Sequence, residues 1–173
     1  MLAVPFGIRI AYEGLSWGRT VNEFTTAWDV VCRGDCPNLG LGLDSFHLLA
    51  AGTPLDALEE LELDPGRVFL VQLSDFMWQE TKTFEERMAT ARTFRVFPGE
   101  GVHTPALVDM VRRLDALGYR GDYSFEVFND DYVQMPLPFV AARAARSALW
   151  LAEDVLRRSV PLPDALRLRA ARG

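Results

Sequence analysis

Short apolar runs alternate along this chain with stretches whose apolar residues recur at helical spacing. Phe6–Tyr12 reads as a first strand. Thr20-Val21-Asn22-Glu23 then has the form of a capping box, with Thr20 as N-cap and Glu23 reaching back, and Phe24, Trp28 and Val31 follow on one helical face. Leu39–Leu43 is predicted as a second strand, whose Leu and Gly without polar alternation suit burial on both faces. Thr53-Pro54 opens a helix with proline at its first position, lined by Leu55, Leu58 and Leu61. Val68–Leu73 is a third strand, a helix is expected around Phe84–Arg92, and Phe94–Phe97 forms a short fourth strand. Thr104-Pro105 begins another helix, with Leu107, Met110, Val111 and Leu114 inward and Gly118 at its end. Tyr123–Phe128 is a fifth strand, followed by a long helix rich in Ala and Leu from about Pro138 to Arg157.

Strands and helices in alternation, with the strands nearly continuous in apolar residues, predict an α/β chain with about five parallel strands. The strong strands end alike: Ile-Ala-Tyr-Glu13, Leu-Gly-Leu-Asp44, Phe-Leu-Val-Gln72 and Tyr-Ser-Phe-Glu126 each run apolar and finish in an oxygen-bearing side chain. Glu13 and Asp44 are 31 residues apart, Asp44 and Gln72 28, and Gln72 and Glu126 54, the last leaving room for two units around Phe94–Phe97. This is the spacing of βα units in a barrel or a doubly wound sheet, folds whose C-terminal strand ends face the site.

One acid after a strand is usually a helix N-cap or a loop charge. Four polar residues at unit-length spacing, all at strand ends, form a set that would converge. Three carboxylates brought that close repel unless a cation joins them, and oxygen donors favour Mg²⁺ or Mn²⁺. Glu13, Asp44, Gln72 and Glu126 are therefore the expected metal ligands. His47, three residues after Asp44, is placed for acid–base chemistry beside the ion, because imidazole titrates near neutrality. Arg95 either holds a substrate carboxylate or phosphate through paired hydrogen bonds or pairs with a neighbouring carboxylate. His103 reads as a surface or capping residue, and the glycines of Pro98-Gly99-Glu100-Gly101 serve a tight turn. Trp17, Phe46, Phe76 and Trp78 fall near the same strand ends, as pocket wall or core.

The composition narrows the partners. With 173 residues, 49% of them hydrophobic, the chain is long enough for one domain with a real core. A net charge of −6 disfavours nucleic acid. No apolar run approaches the length of a membrane span, and the first ten residues lack a secretory pattern, so a cytoplasmic location is expected. Cys32 and Cys36 are read as free thiols without a role.

Five segments carry a resemblance: Ala-Tyr-Glu-Gly-Leu-Ser-Trp-Gly (11–18), Leu-Asp-Ser-Phe-His (43–47), Val-Gln-Leu-Ser-Asp (71–75), Phe-Arg-Val-Phe-Pro-Gly-Glu-Gly (94–101) and Ser-Phe-Glu-Val-Phe-Asn-Asp-Asp (124–131). They resemble the xylose-isomerase-like barrel superfamily and, within it, the bacterial 3-dehydroshikimate dehydratases. Gln72, where many relatives place a histidine, and the Phe-Asn-Asp-Asp run carry the narrower likeness. The resemblance implies a partial (β/α) TIM-type barrel, with residues 1–158 as its C-terminal portion and 159–173 as a tail. It implies ligand roles for Glu13, Asp44, Gln72 and Glu126, proton transfer near His47, and a substrate-carboxylate role for Arg95. The implied activity is metal-dependent dehydration of 3-dehydroshikimate to protocatechuate through an enolate. Sugar or inositol isomerisation and an inactive fragment serving as a binding or assembly module stand as alternatives. The expected partner is a small molecule, a cyclic keto acid or a sugar. A complete barrel has eight strands, so a partial one exposes sheet edges, and a homo-oligomer is among the expected states.

Overall fold

A computed structural model describes residues 3–159, and the expected tail lies outside them apart from its first residue. The sheet is wholly parallel and runs in chain order: β1 (Ile10–Glu13), β2 (Leu39–Asp44), β3 (Val68–Leu73) and β4 (Tyr123–Phe125). Helices fill the crossovers: α1 (Phe24–Gly34), α2 (Ser45–Ala51), the short α3 (Ala57–Glu60), α4 (Phe84–Thr93) and α5 (Thr104–Leu117). After β4 come α6 (Asp130–Gln134), α7 (Leu137–Trp150) and a π-helical turn, Leu151–Val155.

Among the described residues, four strands replace the expected five. Phe94–Phe97 joins no sheet; Val96 makes an antiparallel bridge with Asp75 and Phe94 another with Asn129. The alternation there reflects two isolated pairings that tie a loop down, and Pro98 follows at once. β1 begins later than expected, because Val4–Phe6 forms a single 3-10 turn closed by Gly7 at φ +65°. The Thr20–Glu23 capping box does not form; Glu23 is the extended N-cap of α1 and gives no side-chain cap. A complete box occurs instead at α4, where Thr83 and Glu86 exchange side-chain and backbone bonds. The helix expected after Thr53-Pro54 shrinks to α3, which still turns Leu58 into the core.

Alternation along the strands divides the sheet into two unlike faces. Leu41, Leu43, Val71 and Leu73 point to one face and are fully buried under α1 and α5, whose Val31, Leu107, Met110 and Val111 are buried with them. The other face carries Ala11, Gly40, Gly42 and Ser124, with Leu70 beside Gly42 and the Phe69 ring packed over Gly40. That face holds the strand-end oxygens.

A second device fixes the loop after β3. The buried Asp75 carboxylate accepts from the backbone N–H of Phe76 and His103 and from the Thr104 hydroxyl at the start of α5. Gly101 packs so tightly there that a Cβ would overlap the Asp75 carboxylate and come within 2.5 Å of the Phe76 carbonyl oxygen. Gly101→Ala is expected to lower stability by about 1–3 kcal/mol, the usual cost of overpacking, measured by urea denaturation. An unchanged midpoint would show that the loop yields freely.

Candidate metal centre

The register delivers the expected oxygens to one place. Glu13 pairs with Gly42, Asp44 with Gln72, and Gln72 with Ser124. Because side chains alternate, Glu13, Asp44, Gln72 and Glu126 share the face of the sheet that carries Gly42 and Ser124, at one end of it. Glu126 lies just past β4, its N–H still bonded to the Leu73 carbonyl.

Within this group the structure draws Glu13, Asp44 and His47 closest, with one donor atom from each inside 4.8 Å of the others. His47 Nε2 lies 3.7 Å from both Glu13 Oε1 and Asp44 Oδ2. Asp44 is also the N-cap of α2, its Oδ1 accepting from Phe46 N–H at 2.8 Å, and that bond aims Oδ2 into the site. Of the two readings of Arg95, the structure shows the ion pair. Its NH1 donates to Asp44 Oδ2 at 2.6 Å and Glu126 Oε2 at 3.0 Å, while its Nε donates to the Ala91 carbonyl. The guanidinium lies 4.5 Å from the Phe46 ring centre. Gln72 stands in register beside Asp44.

Glu13, His47, Arg95 and Glu126 line a cleft of about 380 Å³ together with Leu15, Trp17, Arg92 and Phe128. Arg92 and Ser16 escaped sequence reasoning. Arg92 lies in the last turn of α4 and Arg95 in the loop just beyond it, so no local pattern announced that both line the same cavity. Ser16 meets His47 across 31 residues, a contact no local pattern announces. Of the aromatic candidates, Phe46 and Phe76 are core, Trp17 is cavity wall, and Trp78 lies elsewhere, its indole N–H on Thr90. His103 stands at the start of α5 with its ring on the Trp78 carbonyl, and both cysteines are free.

The electrostatics suit a cation. Burial first, then Asp44 and Glu126, raises the Glu13 carboxyl from 4.5 to about 7. Burial also pushes Asp44 upward, against the attraction of Arg95. Burial and then Arg95 lower His47 to about 3, so its ring is neutral. Glu13 Oε1 is buried without a hydrogen-bond partner. An orphaned carboxylate oxygen amid further carboxylates is the donor chemistry of a hard divalent ion, so these residues fit one.

The shifts carry a sign that can be measured. Glu13, raised in the folded chain, contributes stability that is fully present below pH 4.5 and is lost as pH rises through about 7. His47, depressed, contributes stability above pH 6.5 that is lost as pH falls toward 3, so the two oppose each other in the acid range. Above pH 6.5 only the Glu13 effect remains. Chelator-treated protein is therefore expected to lose urea resistance between pH 6.5 and 8, and saturating Mg²⁺ or Mn²⁺, which favours the ionised carboxylate, should abolish the loss. A flat or rising profile without metal would contradict this.

A parallel α/β sheet whose strand ends gather carboxylates around a cleft defines a (β/α)-barrel enzyme scaffold. The chain belongs to the xylose isomerase-like TIM barrel family, whose model matches residues 2–153. It is 40% identical over 159 residues to a 3-dehydroshikimate dehydratase of Pseudomonas aeruginosa, covering 90% of this chain and 24% of that protein. It is 31% identical over 138 residues to an inosose isomerase of Bacillus subtilis, covering 78% of this chain and 45% of that one. Among solved structures, the IOLI protein with a binding zinc atom superposes with a TM-score of 0.74 at 25% identity, over 89% of this chain and 52% of that one. The chain thus spans about a quarter to a half of the length of these proteins, and the dehydratase and the isomerase among them are enzymes. Among the described residues no helix is long and apolar enough to cross a membrane.

Proposed function

We propose that residues 1–158 form the C-terminal portion of a (β/α) barrel and carry the metal-binding part of a dehydratase site, acting on 3-dehydroshikimate to give protocatechuate. The observation that carries this reading is the convergence of Glu13, Asp44 and Glu126 on one cleft with two arginines at its wall. Carboxylates and Gln72 would hold the ion, and the exposed Arg92 suits an anionic substrate. The dehydratase likeness at 40% identity supports the same choice.

Bound there, Mg²⁺ or Mn²⁺ would supply a Lewis acid for a substrate ketone oxygen. The protein's own groups do the rest. Arg92, at the mouth, reaches for the substrate carboxylate, and Arg95 holds Asp44 and Glu126 in place beneath it. Trp17 and Phe128 wall the ring and limit water. His47 turns Nε2 toward the carboxylates and offers it to the substrate as a hydrogen-bonding group.

The test is a turnover assay on 3-dehydroshikimate with Mg²⁺ or Mn²⁺, following protocatechuate by ultraviolet absorbance. Arg92→Ala is expected to raise KM about tenfold or more with a smaller change in kcat, since it removes binding remote from the reacting carbons. Turnover of inosose with none of the keto acid would instead favour the isomerase reading, which the inosose isomerase relatives support. Folded protein that binds the ion and turns over neither would favour a binding or assembly module.

A further inference from the structure

The loop between β1 and α1 decides which ring nitrogen of His47 carries its proton. Ser16 is buried, and its backbone N–H donates to His47 Nδ1 at 3.2 Å, with its Oγ 3.0 Å from the same nitrogen. A peptide N–H can only donate. Nδ1 must therefore present its lone pair, and a neutral imidazole then has its single hydrogen on Nε2.

We propose that the Ser16 main chain is a positioning group that locks His47 as the Nε2–H tautomer, facing Glu13 and Asp44. This rests on the site reading above and deepens it. Glu13, Asp44 and His47 look by proximity alone like a three-ligand metal set. A nitrogen that carries hydrogen has no lone pair to give an ion. The tautomer therefore keeps His47 out of the coordination sphere, leaves the ion to the oxygens, and makes the ring a hydrogen-bond donor toward substrate.

The lock is built into the backbone rather than into one replaceable side chain. Leu15 N–H bonds the Val21 carbonyl at 3.3 Å and Gly18 N–H the Leu15 carbonyl, closing the loop on either side of Ser16. A Cβ on Gly14 would come within 2.5 Å of the Glu23 carbonyl oxygen, and one on Gly18 within 2.5 Å of the Val21 carbonyl oxygen, so both glycines permit the tight path. Trp17 then lays its ring edge-on to the imidazole, centroids 4.7 Å apart, and Phe46 lies edge-on to it at 5.3 Å. Both aromatics pack against the imidazole and hold its orientation.

The experiment reads the two ring nitrogens by long-range ¹H–¹⁵N correlation in histidine-labelled protein near neutral pH, with His47→Gln assigning His47 against His103. The expected spectrum shows a protonated Nε2 and an unprotonated Nδ1 in metal-free protein. Ser16→Ala should give the same pattern, because the peptide N–H remains. Loading with ¹¹³Cd²⁺ should produce no scalar coupling to His47, and His47→Gln should leave Cd²⁺ affinity within about threefold, against the 10–100-fold loss typical of residues that support a metal. An Nδ1–H tautomer in the wild type, a tautomer switch in Ser16→Ala, or a coupling to Nε2 would overturn the proposal. Absence of any Cd²⁺ binding would sink the metal reading alone, since the tautomer is read without metal.

Discussion

Arg95→Met should destabilise the metal-free protein by about 3–5 kcal/mol, the range found when one member of a buried ion pair is removed. Asp44 is 1% exposed and Arg95 2%, so the abandoned carboxylate has no access to water. Glu126 loses the same partner, and Glu13 faces two carboxylates with no cation among them. Methionine keeps most of the packing against Phe46, which isolates the charge. Excess Mg²⁺ or Mn²⁺ should restore much of the loss, because the ion takes over as counter-charge. Urea denaturation of both proteins, with and without the ion, measures it. A loss that the ion leaves untouched would mean that Arg95 acts by packing rather than by charge.

Asp44→Ala should have the largest effect on chemistry. The residue receives the Arg95 guanidinium, caps α2 and stands beside Gln72, so its removal frees the ring-bearing helix as well as the site. Turnover of 3-dehydroshikimate is expected to fall by about a thousandfold or more, with divalent-ion affinity down by about a hundredfold, since both binding and charge stabilisation are lost. Stability of the metal-free variant should move less than in Arg95→Met, because deletion also removes a buried acid that resists ionisation. Turnover within tenfold of wild type would remove Asp44 from the site and the dehydratase reading with it.

Much of this was legible before any coordinates. Val68–Leu73 is a strand at both predicted ends, and α5 starts at Thr104 and stops at Gly118, which sits at φ +97°. In both cases the signal is local: an unbroken apolar run, a proline inside the first turn, a glycine free to take a left-handed angle. The convergence of Glu13, Asp44 and Glu126 was also legible, because strand ends in a parallel sheet share one side. Local patterns failed where a distant contact decided. Thr20 and Glu23 have the letters of a capping box, but Glu23 is drawn out as an extended residue and packs its carbonyl against Gly14. Phe94–Phe97 alternates like a strand, yet its partners are single residues of two different segments. The Arg95 ion pair spans 51 residues to Asp44 and 31 to Glu126, so the sequence offered both fates and could not choose.

The strands lie side by side in the order in which they are encoded, and the candidate donors fall between residues 13 and 126 on one uninterrupted stretch. A site arranged in this way can be inherited whole. One recombination event carries every oxygen of the cluster, together with Arg95 and His47, into a new gene, and the same stretch of chain is similar to both a dehydratase and an isomerase.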